Sequence, residues 1–245
     1  MKIVTLNTWG KYGPYQERWK VLLEELIWLK PDVICFQEVQ DNTLIDQVKK
    51  SLSLPYASFA YEAGLVTIGR FPFFRENILK YKATTQIEKE DRRAILVGLS
   101  VGLTQILIAN THLTWRLEDE SIRLKQVQEL LRAVQKESYP ALLIGDFNDN
   151  PQSKPIQEIK EKGYCNLLEL ASPNGLRITW DNQNPFIQTH SIQFPDREID
   201  FIFADQEFLR LNPLKTGKLV FNRRDPKAIY PSDHYGVFVE VGDEN

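Results

Sequence analysis

The sequence of 245 residues predicts a single α/β domain. Short apolar runs of strand length, rich in Val, Ile and Phe and bounded by Gly, Pro, Asn or Asp, recur from end to end. Between several of them the apolar period lengthens from that of a strand to that of a helix. No Ser/Gly-rich linker divides the chain, and no repeat recurs at a period of roughly 20–50 residues.

The runs fall at residues 3–6, 33–36, 64–68, 94–99, 105–109, 141–144, 199–203 and 235–241. After the first, Trp19, Leu22, Leu23, Leu26 and Ile27 form one apolar stripe of a helix that ends before Pro31. Val127, Leu130, Leu131 and Val134 repeat the pattern in a longer helix. It opens on Glu118, Asp119 and Glu120, the sign a helix N-terminus favours, and stops ahead of Pro140. Residues 42–52 and 155–162 are weaker helical patterns. The stretches 163–198 and 205–232 have little periodicity and read as ordered loops.

Lys and Arg number 30 against 33 Asp and Glu, a net charge of −3, which argues against a nucleic-acid coat or a polybasic membrane anchor. Hydrophobic content of 42% and charged content of 26% are those of an ordinary globule. No apolar run approaches the roughly 20 residues that cross a bilayer, so no stable membrane insertion is expected. The opening MKIVTLNTWG lacks the apolar core of a secretory signal. Cys35 and Cys165 lie in no metal-binding or redox spacing; two separate reduced thiols and a cytoplasmic setting are expected.

The informative positions follow the apolar runs. Asn7 ends the first, and Gln37-Glu38 follow the second. Asn110-Thr111-His112 follow residues 106–109, and Gly145-Asp146-Phe147-Asn148 follow residues 141–144. Ile199 precedes Asp200, and Ser232-Asp233-His234 stand just before the last run. Singly, each has a structural reading: Asp and Asn cap turns, and a strand-end Glu is often merely solvated. Together they assemble carboxylates, amides and imidazoles where ligand groups converge in α/β sheets. Two of the chain's three histidines are among them; His190, in a polar loop, reads as solvated or structural. Hard cations such as Mg²⁺ take carboxylate oxygens, and phosphate-ester hydrolysis needs such a cation, a base for water and donors for developing charge.

These segments (TLNTWG, CFQEV, NTHL, GDFN, EIDFIF and SDHYGV) resemble the motifs of the endonuclease/exonuclease/phosphatase superfamily, in the family's order and over residues 3–238. The resemblance implies a four-layered α/β/β/α sandwich spanning residues 1–245 as one catalytic domain, with dependence on Mg²⁺ or Mn²⁺. By the same resemblance Glu38 is the principal metal ligand, with Asn7 and Asp233 as further ligands. Asp146 and Asn148 orient the water or leaving group and the phosphoryl oxygen. His234 is the general base, with Asp200 fixing its tautomer, and His112 binds or protonates the phosphate.

Branch membership is mixed. Thr179-Trp180-Asp181 resembles a segment of 5′-tyrosyl-DNA phosphodiesterases, which makes Trp180 a substrate-binding candidate. Asn7-Thr8-Trp9-Gly10, with Phe194-Pro195 ahead of Ile199-Asp200, is similar to sphingomyelinases. Tyr81 stands where abasic-site nucleases carry a catalytic Tyr, in a different context. Residues 205–232 hold Arg210, Lys215, Lys218, Arg223, Arg224 and Lys227 against Asp205, Glu207 and Asp225, a cationic stretch leading into Asp233-His234. Arg116 and the pair Arg92-Arg93 are further phosphate-binding candidates. Trp9, Tyr12, Tyr15, Trp115 and Trp180 sit near site segments, where aromatics either stack bases or pack loops. The expected protein is a monomeric Mg²⁺-dependent phosphodiesterase or nuclease on nucleic acid or nucleotide-like esters. The alternatives are a sphingomyelinase-like or sugar/inositol-phosphate hydrolase and a catalytically silent binding protein.

Overall fold

A computed structural model describes residues 1–85, 87–88, 91–223 and 229–242. Two six-stranded sheets form the centre. The first contains β1 (Lys2–Asn7), β2 (Val33–Gln37), β3 (Tyr56–Ala60), β4 (Leu65–Gly69), β11 (Leu214–Val220) and β12 (Gly236–Val241) in the order β11-β12-β1-β2-β4-β3. The second contains β5 (Phe73–Lys80), β6 (Arg93–Val101), β7 (Thr104–His112), β8 (Ala141–Asp146), β9 (Cys165–Asn166) and β10 (Asp200–Ala204) in the order β5-β6-β7-β8-β10-β9. The helices are α1 (Tyr15–Leu29), α2 (Asn42–Leu52), α3 (Glu120–Gln135), α4 (Lys154–Glu161), α5 (Leu167–Ala171) and α6 (Gln206–Leu211).

Strand alternation sorts the apolar side chains into three layers. Ile3, Val33 and Cys35 of the first sheet meet Ile95, Ile108, Ile144 and Ile202 of the second, forming the core between the sheets. Their neighbours Val4, Ile34 and Phe36 face outward and are covered by Trp19, Leu22 and Leu26 of α1 and Ile45 and Val48 of α2. Leu96, Leu143 and Phe201 on the other outer face are covered by Val127, Leu130 and Leu131 of α3 and Ile156 and Ile159 of α4. The result is the expected four-layered α/β/β/α sandwich. Each sheet has one parallel pair at its centre, β1 with β2 and β7 with β8, bridged by α1 and α3 respectively.

All eight sequence-read strands form. The stretches read as loops contain β9 and α5 within residues 163–198, and α6 and β11 within 205–232. These elements are short or lie at sheet edges, where polar side chains mask the period. Asp205 caps α6 by accepting from Phe208 N at 2.7 Å. Arg224, Asp225 and Lys227 of the cationic stretch lie outside the described residues. Of its other cations, Lys218 stacks over Trp28 at 4.8 Å and Arg210 pairs with Glu207 at 3.8 Å. Both cysteines are free thiols. Among the described residues no helix is long and apolar enough to cross a membrane.

Candidate active site

Sheet polarity explains why residues scattered along the chain meet. The C-terminal ends of β1, β2, β7 and β8 lie at one edge of the sandwich, delivering Asn7, Glu38, His112 and Asp146. The antiparallel strands β10 and β12 begin at that same edge, delivering Asp200 and Asp233-His234. In the register, Asp146 stands opposite both His112 on β7 and Asp200 on β10. Gly145 permits the close approach of β7 and β8: its φ is +133°, and a Cβ there would stand 2.0 Å from Thr111 O.

The eight central residues predicted from sequence come together. His234 Nδ1 lies 2.9 Å from Asp200 Oδ2, leaving Nε2 free to face the cleft, 4.0 Å from Asp146 Oδ2. Asn7 Nδ2 donates to Glu38 Oε1 and to Asp146 Oδ2, both at 3.0 Å, while Asn7 Oδ1 accepts from Trp9 N at 3.0 Å. His112 Nε2 is 3.4 Å from Asp146 Oδ2 and 4.0 Å from Glu38 Oε1. Asn148 N donates to Asp146 Oδ1 at 2.9 Å, and Asn148 Nδ2 donates to Leu113 O at 3.0 Å. Ser232 Oγ donates to Asn7 O at 2.6 Å and accepts from His234 N at 3.2 Å, tying the Asp233-His234 segment to β1. Trp9, Glu38 and Asn148 all have left-handed backbone, with φ of 55°, 56° and 54°. Side-chain residues reach that region at a cost that accumulates at functional sites.

Burial dominates the electrostatics. It raises the Glu38 carboxyl, as does Asp233 beside it. Burial together with Asp200 pushes Asp146 up to about 7. His112 is held well below the ordinary imidazole value by burial, Arg92 and His234, and is neutral at physiological pH. Burial also acts to lower His234, but Asp200, Asp233 and Asp146 outweigh it and push the ring up to about 10.

Three buried carboxylates, Asp146, Asp200 and Asp233, thus lie close to the half-exposed Glu38 at an electrostatic cost, and Asp200 Oδ1 is buried with no hydrogen-bond partner. Asp146, Asp200 and His234 each offer one donor atom, all within 4.8 Å of one another. An oxygen-rich set of this kind suits a hard divalent cation. Glu38 opens to the cleft with 33% of its side chain exposed.

The cleft has a volume of about 630 Å³ and is walled by aromatics, among them Trp9, Tyr12, Trp115, Trp180 and Phe194. Tyr15, the first residue of α1, instead packs at the edge of the outer core, and Tyr81 is buried with its hydroxyl 2.7 Å from Thr111 Oγ1. Of the peripheral substrate-binding candidates, Trp180 and Arg92 line the cleft and Arg116 and Arg93 do not; the Trp180 ring is 5.1 Å from that of His234. Arg116 pairs with Glu118 at 3.1 Å and lies over Trp115. Arg93 turns to Glu62 at 3.2 Å, and the preceding Arg92, paired with Glu88 at 2.9 Å, takes the place in the cleft wall.

Three residues of this site were not picked out from sequence. His190 keeps 30% of its side chain exposed but is tied to the site: its Nε2 lies 2.8 Å from Asp233 Oδ2, and its ring packs on Trp180. Arg18 is fully buried and donates to five carbonyls, those of Thr8, Trp9, Gly10, Tyr12 and Pro231, holding the loop after β1 against the segment before Asp233. Arg197, three residues before Asp200, also lines the cleft. The scarcity of histidine was the one sequence signal for His190; the arginines had none beyond proximity to a motif.

Residues 4–234 match the Endonuclease/Exonuclease/phosphatase family, and the chain belongs to it. Among curated proteins, it is 27% identical over 249 residues to nocturnin of Xenopus laevis, covering 90% of this chain and 63% of that one. It is 30% identical over 171 residues to protein angel homolog 2 of Danio rerio, covering 60% of this chain and 30% of the other. The chain therefore spans about a third to two thirds of the length of these relatives. A crystal structure of D. rerio TDP2 complexed with single strand DNA product superposes with a TM-score of 0.81 at 17% identity, covering 99% of each chain.

Proposed function

We propose that this protein is a divalent-metal-dependent phosphodiesterase acting on nucleic acid or a nucleotide-like phosphate ester. The observation that carries the reading is the His234–Asp200 pair, whose free imidazole nitrogen faces the carboxylates of the cleft. Family membership supports phosphoester chemistry, and the single-stranded DNA product in the D. rerio TDP2 structure supports a nucleic-acid substrate.

In this reading Glu38 and Asp146 would hold the cation, because positive charge there would offset theirs without breaking the His234–Asp200 hydrogen bond. When bound, Mg²⁺ or Mn²⁺ supplies positive charge to the phosphoryl oxygens. Asn7 keeps the two carboxylates in register through its bridging amide. Positive charge bound at Glu38 and Asp146 would lower His234 from its raised value, and the neutral ring then takes the proton of the attacking water at Nε2. Asp200 keeps the remaining proton on Nδ1 and stabilises the imidazolium that results. His112, neutral through burial, presents an N–H to a phosphate oxygen, and Asn148 holds Asp146 from below. Every group in the scheme comes from one chain, so a monomer suffices.

The test is hydrolysis of bis-p-nitrophenyl phosphate by the purified protein. Turnover is expected with Mg²⁺ or Mn²⁺ and none with EDTA. His234→Ala and Glu38→Gln should each lower kcat by about 10²- to 10⁴-fold with unchanged circular dichroism. Wild-type rates in either variant would overturn the assignment. A panel of single-stranded DNA, RNA, a 5′-tyrosyl oligonucleotide, sphingomyelin and inositol phosphates then ranks substrates.

A further inference from the structure

Four arginines are buried among the described residues: Arg18, Arg92, Arg123 and Arg197. Three have hydrogen-bonding or ionic partners. Arg18 is satisfied by five carbonyls, Arg92 pairs with Glu88, and Arg123 pairs with Asp149 at 2.7 Å. Arg197 is 4% exposed, yet its guanidinium forms no hydrogen bond and no ion pair within the described residues, and Nε is buried with no acceptor. The adjacent Glu198 is not available to it, being held by Arg177 at 3.1 Å and Asn166 at 2.7 Å.

What Arg197 does have is aromatic support. Its guanidinium carbon lies 4.3 Å from the Phe194 ring centre and 5.8 Å from that of Trp180. Stacking satisfies the faces of the planar cation and leaves its edge, where the N–H groups lie, for an acceptor in the plane. Arg197 is one of the residues that wall the cleft. A buried, unpaired guanidinium is costly, and burial already depresses its basicity. Its fork geometry matches the oxygens of a phosphate. Trp180 touches both the Arg197 guanidinium and the His234 ring, so an anion on Arg197 would sit beside the reacting group.

We propose that Arg197, framed by Phe194 and Trp180, binds a second phosphate of the substrate, next to the one being cleaved. The proposal rests on the phosphodiesterase reading above and narrows it to substrates with at least two phosphates. The competing role is a counter-charge for Asp146 and its neighbours, which would affect every substrate alike.

Two substrates separate these roles: bis-p-nitrophenyl phosphate, with one phosphate, and a 5′-phosphorylated thymidine dinucleotide, with two. Arg197→Gln should lower kcat/KM for the dinucleotide about 10- to 100-fold more than for the one-phosphate ester, chiefly through KM, with Arg197→Lys intermediate. Equal losses on both, or none on either, would overturn the subsite. If wild type with Mg²⁺ cleaves neither, the phosphodiesterase reading fails, and binding of thymidine 3′,5′-bisphosphate, read by tryptophan fluorescence, still decides the subsite. Affinity that drops about 10-fold or more in Arg197→Gln supports it, and unchanged affinity rejects it.

Discussion

Asp200 meets His234 through one oxygen only. Its Oδ2 lies 2.9 Å from Nδ1 of the ring, while Oδ1 is buried without a partner. The carboxylate thus fixes the orientation of the imidazole and favours its charged form. Asp200→Asn keeps the shape and removes the charge. The expected outcome is a kcat on bis-p-nitrophenyl phosphate lower by about 10²-fold or more. In the metal-free variant, an NMR titration should find the His234 ring well below its wild-type value of about 10. A variant retaining full turnover would mean that the pair is structural.

The pH dependence of stability has an unusual sign. Asp146 is raised from 3.8 to about 7 and His234 from 6.5 to about 10, so at these two groups the folded protein holds protons that the unfolded chain has lost. The stability these groups contribute is present below their unfolded values and is lost as pH rises through about 7 and then about 10. The metal-free protein is therefore expected to melt at progressively lower temperature between pH 6 and about 9, with a smaller decline in Mg²⁺, where the cation takes the place of the protons. Thermal melts in EDTA and in Mg²⁺ across that range check this; a melting temperature in EDTA that rises with pH contradicts it.

Arg18 joins segments more than two hundred residues apart, reaching Thr8 O at 2.9 Å and Pro231 O at 2.8 Å. Arg18→Met would strand the five carbonyls it bridges, four in the loop after β1 and one at Pro231. We expect a loss of about 3 kcal/mol in urea unfolding, with Arg18→Lys recovering part of it. A loss below about 0.5 kcal/mol would place Arg18 among ordinary surface substitutions.

What could be read from sequence has a physical boundary. The eight strands recognised are the interior strands of the two sheets, and the four overlooked, β3, β5, β9 and β11, are the four outer ones. An interior strand has neighbours on both sides and is packed on both faces, so it reads as an unbroken apolar run. The edge strand β5 carries Arg75, Glu76 and Lys80, and β11 carries Lys215 and Lys218, charges that guard an open edge and dilute its pattern. The site followed the same logic. Asn7, Glu38, His112 and Asp146 were visible because each follows an interior strand. His190, Arg18 and Arg197 were not, because their roles come from partners distant in sequence and from rings that only the folded chain brings near.

The left-handed backbone at Trp9, Glu38 and Asn148 sets a limit on improving this molecule. Glycine at any of the three would relax the chain and would tempt a designer seeking thermal robustness. Each such exchange would delete a side chain whose direction the strained backbone defines. Durability and chemistry compete for the same three residues here, so a hardier version of this protein has to be built elsewhere in the sandwich.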